Sequence, residues 1–397
     1  MREFAATMPG GRCRSFGGAL LAGRDAALVN GALGNVLEMD DLYRTALLHP
    51  APVVVPAALA MAEETGASAE NLLDAVVRGY EAMIRVGRSV GPAHYRHFHN
   101  TATCGVFGSA AAAGSLLGLD EDQLVNAIGN AGTQASGFWQ CRLEDTMSKQ
   151  LHNGRAAQSG LIAAQLAMHQ FTGAQQILEG PLGFYAGMCP DASPELLLQG
   201  AEGPWLIHGT SFKPWPACRH THPAIDAVLA LRDSARTRHV SRIVIETFAD
   251  AVRICDNRDP RTSVEAKFSL QHAAATVLLR GAPILENFDA AAAADPVIAG
   301  LRRKVEVQAN ETLSRAYPAR FGASVRIEFA DGSAIQQAVS DALGDPENPL
   351  TESALAGKAR MLLGSAGYAA SAADDIVRAA FALTGSGQVG SLTQLMK

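Results

Sequence analysis

Two stretches of this chain are apolar on every side and built almost entirely from small residues. Residues 105–119 read GVFGSAAAAGSLLGL, and residues 154–171 have the same texture. A helix without a polar face belongs inside a protein, and Gly, Ala and Ser side chains let neighbouring helices approach closely. The chain must therefore wrap other helices around these two. It supplies them: Ser68 is placed to cap a helix from Ala69 onward, with Leu72, Leu73, Val76, Val77, Tyr80, Met83 and Ile84 on one stripe. Asp120 with Gln123 forms a capping-box pattern ahead of Leu124, Ala127 and Ile128. No strand signal of any strength is read before residue 200.

The pattern changes after about residue 210. Residues 240–248 (VSRIVIETF) alternate with a period of two and are rich in β-branched side chains, so they read as a strand. Residues 264–280 read as one helix and 304–309 as a short strand. Residues 323–329 and 334–339 form a hairpin around Asp331-Gly332. GDPENP at 344–349 is a loop, and Thr351 and Ser371 begin two final helices. Two helices are too few for a core of their own and are expected to return to the first domain. The expected architecture is mainly α with an α+β second domain. Its first part is helical (1–210), an α+β lid follows (211–345), and the C-terminal helices (346–397) close the helical domain.

Composition excludes whole classes. Of the 397 residues, 48% are hydrophobic and 18% charged, which argues for a large core and against a disordered chain. The net charge of -6 and the lack of a basic run argue against nucleic acid as a partner. The longest apolar run, 50–62, is too short to cross a bilayer. The opening residues lack the apolar segment of a signal peptide. Six cysteines stand far apart with no CxxC pair, which suits reduced thiols in a cytoplasmic protein.

Four polar clusters interrupt the apolar background. Glu38, Asp40 and Asp41 precede His49; they can orient an imidazole, bind a metal, or be the solvated end of a helix. His94, His97 and His99 suggest a metal site, a catalytic imidazole, or surface and structural histidines, with His94 read as exposed. Lys149, His152 and Arg155 recur every third residue, so a helix places them on one face. That cationic face needs an anion, either Asp145 or a substrate carboxylate. Lys213, Cys218, Arg219, His220 and His222 lie in a proline-stiffened segment at the expected domain junction. They read as a metal nest, a Cys/His nucleophile, an anion-binding loop or plain structure. GxGxxG after a strand, GxxxxGK[ST], HExxH and GxSxG are all missing, so redox and phosphoryl-transfer chemistry lose weight.

Taken in order, GRCRSFGG, ALVNGALGNVLEMDD, FHNTATCGVFGSAAAAGSLLGL, SKQLHNGRAAQSG, FKPWPACRHTHPAID, EAKFSLQHAAA and GDPENPLT cover nearly the whole chain. The set resembles the MmgE/PrpD family, which includes 2-methylcitrate dehydratases, cis-aconitate decarboxylases and an iminodisuccinate epimerase. The resemblance implies a homodimer acting on a small carboxylate without metal, iron–sulfur or other cofactor. Carried over residue by residue, it implies a site containing Glu38, Asp40, Asp41, His49, His99, Lys149 and Lys213. Arg155, Cys218, Arg219, His222 and His272 are expected to help bind substrate. Lys149, Arg155, Lys213 and Arg219 would then make a cationic pocket in an acidic chain.

The decarboxylase branch has His at the position of Cys218, Asp at Glu38, Thr at Leu42 and Tyr at His272. RHTHP at 219–223 is closer to the bacterial MmgE type. Only some ten residues precede GRCRSFGG, where family members carry further helices. The expected activity is a hydro-lyase of the 2-methylcitrate dehydratase type, with His99 as base, His49 as its partner, Asp40 or Asp41 orienting a ring, and lysines stabilising an enolate-like carbanion. Alternatives are a dicarboxylate epimerase, a decarboxylase, a non-catalytic carboxylate-binding protein, and a metal-dependent hydrolase built on the His94 cluster.

Overall fold

The computed structural model describes every residue except Asp145, Ser386 and Lys397. The chain is mainly α with an α+β second part. It divides into two compact units: Met1–Val36 with Asp40–Thr210 and Glu352–Lys397, and Leu37–Met39 with Ser211–Thr351.

The first unit is helical. Its main helices are α1 (Gly23–Leu33), α2 (Ala51–Thr65), α3 (Ala69–Ser89), α4 (Gly105–Leu117), α5 (Glu121–Gly132) and α6 (Ser148–Met168). Ser68 Oγ accepts from Asn71 N at the start of α3, at 3.1 Å. Asp120 and Gln123 close the capping box of α5 at 2.9 and 3.1 Å. The all-apolar α4 is buried as its composition requires, with Ala110, Ala112 and Ala113 fully enclosed. Glycine sets the spacing of α1, α4 and α6. A methyl on Gly31 would stand 2.9 Å from Gly154 Cα, one on Gly154 would meet the Leu28 carbonyl, and one on Gly160 would meet Ser109 and the α4 backbone. Gly154→Val therefore pushes α1 and α6 apart. The expected cost is about 1–3 kcal/mol, read as a lower urea midpoint with an unchanged m-value.

The C-terminal helices Glu352–Ser365, Ala370–Ala382 and Val389–Thr393 belong to this unit, and Ile376, Leu383, Val389 and Leu392 join its core. Among the described residues no helix is long and apolar enough to cross a membrane. The expectation of no strand before residue 200 needs correction. β1 (Gly10–Arg14) pairs antiparallel with β2 (Leu20–Leu21), and Asp41–Tyr43 is also extended. Cys13 and Leu21 tuck inward, with the Cys13 thiol donating to Ala60 O at 3.3 Å. Glycines and arginines fill the rest of β1, so its alternation carries no β-branched signal.

The second unit has a four-stranded sheet. α7 (His222–Ala235) precedes β3 (Val240–Thr247); α8 (Ser263–Lys267) and α9 (Leu270–Arg280) precede β4 (Val305–Ala309); β5 (Ala323–Phe329) and β6 (Ala334–Val339) form the expected hairpin. The strand order is β4–β3–β5–β6, with β3 and β4 parallel and the other pairs antiparallel. Ile243, Ile245, Val325 and Ile327 face the core formed with α7 and α9, while Arg242, Glu246, Arg326 and Glu328 line the opposite face. The helix read over 264–280 is in fact two. It breaks at Phe268-Ser269, where Ser269 Oγ accepts from His272 N and starts α9 afresh.

Candidate active site

Within the helical unit, three elements bring imidazoles and acids together. The first is the chain leading into α2. Asp40 Oδ2 stands 3.0 Å from His49 Nδ1, which also donates to the Asp41 carbonyl at 2.5 Å. Asn35 Nδ2 donates to the same Asp40 oxygen at 3.2 Å. Asp41 is turned inward. Its carboxylate accepts from Ala51 N at 3.0 and 3.2 Å and from the Tyr80 hydroxyl at 2.9 Å. Burial, and then the neighbouring Asp40 charge, push Asp41 up to about 6, against the hydrogen bonds from Tyr80 and Ala51. Asp41 thus pins the start of α2, and Asp40 holds His49.

The second element is the short helix Asn100–Thr103, with His99 at its N-cap. His49 N donates to Thr101 Oγ1 at 3.1 Å, and Asn100 Nδ2 donates to Ala46 O at 2.8 Å, so the His49 and His99 segments are tied together. The third element is the start of α6. His152 Nδ1 lies 3.3 Å from His99 Nδ1, and Trp139 lies against the His99 ring with centroids 4.4 Å apart. The His99 ring is 1% exposed. Burial, then the Lys149 charge, His152 and His49, lower its basicity well below that of ordinary histidine; Asp40 works in the other direction. His152 is lowered too, by burial and by Lys149. His99 is therefore a neutral imidazole near a fixed cation. The two Nδ1 atoms share one proton between them, and His99 Nε2 has no hydrogen-bond partner among the described residues.

Arg155 does not join this group. It is exposed and donates to Gln158, which reaches Asp25. Six residues of helix turn about 600°, so Arg155 lies about 120° around α6 from Lys149; intervals of three drift off one face. Asp145, the acid weighed as a partner for Lys149, lies outside the described residues. The three histidines at 94–99 also part company. His94 is buried, a correction to its reading as exposed: its ring bonds Thr103 Oγ1 at 2.8 Å and the Met188 carbonyl at 2.9 Å and stacks on Phe98. His97 is exposed. Among the described residues no group of three or more His, Cys, Asp or Glu is placed to hold a metal.

The second unit carries its own polar cluster. Lys213, 1% exposed, reaches Glu38 Oε2 at 3.3 Å, and Lys267 Nζ donates to Leu37 O at 3.4 Å. Glu38 sits at φ +57, so the turn 37–39 is held in the left-handed region between two buried lysines. The Cys218 thiol is lowered, chiefly by a hydrogen bond from Cys255, with Lys213 helping and burial opposing. Arg219 is occupied. It pairs with fully buried Asp345, donates to the carbonyls of Ala342 and Leu343, and meets His222 Nδ1 at 3.1 Å. His222 Nε2 bonds Ala217 O at 3.1 Å. His220 stacks on Phe321 beside Phe248. His272 Nε2 bonds Asn287 O at 2.8 Å, and Arg302 approaches its Nδ1 at 3.4 Å. Arg219, His222 and His272 thus each bond to groups of their own unit, while Arg219 Nε has no hydrogen-bond partner among the described residues.

The chain matches the MmgE/PrpD N-terminal domain over residues 3–197 and the MmgE/PrpD C-terminal domain over residues 215–382. It belongs to the MmgE/PrpD family. Several curated members are similar across most of its length. The cis-aconitate decarboxylase of Aspergillus terreus is 27% identical over 385 residues, covering 90% of this chain and 78% of that protein. The cis-aconitate decarboxylase of Homo sapiens is 31% identical over 302 residues, covering 71% of this chain and 61% of that protein. For that of Mus musculus the figures are 28% over 358 residues, 84% and 70%.

Residue spacing did not disclose the His99–His152 contact or the Trp139 ring. Only the i, i+3 step from Lys149 to His152 hinted that His152 shares the lysine's side of α6.

The buried imidazoles make a prediction about acid. His94, His99, His152 and His272 are all held below the ordinary histidine value of 6.5, chiefly by burial. Between their folded values and 6.5 the unfolded chain binds more protons, so stability falls as pH drops below 6.5. The slope is up to about 1.4 kcal/mol per pH unit for each imidazole. Asp41, raised to about 6, has the opposite slope between about pH 4 and 6 and offsets one of the four. Calorimetry should show Tm falling from pH 7.5 to 5.5, and His94→Gln should flatten that fall.

Proposed function

We propose that this protein is a lyase acting on a small di- or tricarboxylate, and that its chemical step is dehydration of the 2-methylcitrate dehydratase type. The observation that carries the reading is the neutral, buried His99 beside Lys149, with the Asp40–His49 pair tied to it through Thr101. A carbon acid next to a carboxylate needs a neutral base, and His99 Nε2 meets that need in the tautomer whose Nδ1–H donates to His152. The electron pair left by the proton moves into an enolate-like carboxylate, whose added charge Lys149 stabilises. The carbanion then expels hydroxide from the adjacent carbon. Asp40 and the Asp41 carbonyl take His49 Nδ1–H and fix that ring, and the imidazolium form, paired with Asp40, gives its Nε2 proton to the leaving oxygen. The products are an alkene and water; His99 gives its proton to solvent and His49 takes one back, which restores both rings.

Decarboxylation is the second reading, favoured by the activity for which the similar relatives are named. It reaches the same carbanion by losing CO₂ and then needs a proton donor at carbon. A His99 held neutral suits removal of a proton better than its delivery, which ranks dehydration first. Proton NMR of the purified chain in D₂O, with citrate, 2-methylcitrate and cis-aconitate, distinguishes the two. New vinylic signals from a hydroxy acid support dehydration. Loss of cis-aconitate to a product one carbon shorter supports decarboxylation. No change and no α-proton exchange with any of these acids defeats both.

A further inference from the structure

Trp139 lies 8% exposed in a single 3-10 turn, Trp139–Arg142, and its indole Nε1–H has no hydrogen-bond partner among the described residues. Buried indole N–H groups ordinarily find an acceptor, because leaving one unmade costs free energy. The ring it touches, that of His99, also has an unpartnered nitrogen, and Asn153 is fully buried with neither amide atom bonded. Asn153 stands four residues after Lys149 on α6, about 40° around the helix, so it shares the lysine's side. Unpaired polar atoms are scarce in a folded core, and here two of them belong to rings in contact, Trp139 and His99. Tyr95 meets the indole edge-on at 5.7 Å and the Arg142 guanidinium covers it at 4.8 Å, so its plane is fixed.

We propose that Trp139 is a substrate-recognition residue whose indole N–H donates to a carboxylate oxygen of the acid that His99 deprotonates. The inference rests on the functional reading above. Lys149 supplies charge, whereas the indole supplies direction: a single N–H in a fixed plane selects the position of an oxygen. Neither Trp139 Nε1 nor His99 Nε2 is reached by solvent in this conformation. The acid therefore enters by displacing the indole or lifting its turn at Gly137, whose φ of +132 suits a pivot. The hydrogen bonds that these two rings lack within the chain are then made to the acid.

The test uses the ¹⁵N-labelled full chain and tricarballylate, a saturated tricarboxylate that cannot dehydrate. The chain has three tryptophans, and loss of one indole signal in Trp139→Phe assigns that of Trp139. The expected result is a downfield shift of the Trp139 N–H on saturation, with Trp205 and Trp215 unmoved. Trp139→Phe, which keeps a ring on His99, should weaken binding roughly 10-fold or more. If tricarballylate binds while the Trp139 signal stays in place, or if Trp139→Phe binds equally well, the proposal is wrong and the functional reading survives. If neither tricarballylate nor any reactive acid binds the wild-type chain, both fall. The wild-type spectrum decides the matter even if the variant does not fold.

Discussion

His99→Ala is expected to lower kcat about 10²–10⁴-fold, the usual worth of a positioned general base, while KM for the acid changes by only a few fold. The substitution removes the proposed base and leaves Lys149 and the Asp40–His49 pair in place, so binding and bond-breaking separate. The pH profile gives a second handle. A base held well below 6.5 keeps its activity until the pH falls below that value, so the acid limb of kcat/KM lies under pH 6.5. Lys149→Met removes the largest charge that depresses His99, and the limb then moves up toward 6.5 as activity drops. Turnover by NMR and far-UV circular dichroism check the pair. A folded His99→Ala chain with wild-type turnover would remove His99 from the mechanism.

Asp345→Ala is expected to destabilise the protein by about 3–5 kcal/mol, because it strips the counter-charge from a buried guanidinium. Asp345 is wholly enclosed and accepts from Arg219, Ser211 Oγ at 2.6 Å and Ala342 N at 3.0 Å. Urea unfolding gives the cost. Arg219→Met combined with Asp345→Leu should recover most of it, since replacing both charges avoids the desolvation that one stranded charge suffers. The same experiment assigns Arg219. A substrate contact mutated to Lys raises KM and spares stability; a structural arginine does the reverse, and the second result is expected.

Much of the fold was legible in the sequence, because the signals there are local. Ser68 and Asp120 cap helices by contacts three residues away. The period-two run at 240–247 is a strand wherever it packs, and an all-apolar helix such as 105–117 has to be buried. Short β1 escaped because its inward residues are a lone cysteine among glycines and arginines. The 264–280 region looked continuous because a single serine inside a helix costs little, so Ser269 did not stand out as the N-cap it is.

The candidate site was legible only in part. Recognising Asp40, His49, His99 and Lys149 needed the ordered series of family motifs, since no spacing rule joins residues so far apart. What those motifs omit is what three-dimensional contact adds: His152 against His99, Trp139 over its ring, and the burial that makes the imidazole neutral. Arg155 and Arg219 show what charge alone leaves open: the first is exposed beside Gln158, and the second pairs with buried Asp345.

The helical core has a consequence for how this protein should be dissected. Much of what its central helices bury is already alanine or glycine. Truncation to alanine, the ordinary way to locate important packing, finds few atoms to delete there and will report a tolerant interior. Adding atoms is the informative perturbation. A leucine scan along α1, α4 and α6 should meet resistance at nearly every inward position, mapping a framework whose stiffness comes from the closeness of its backbones.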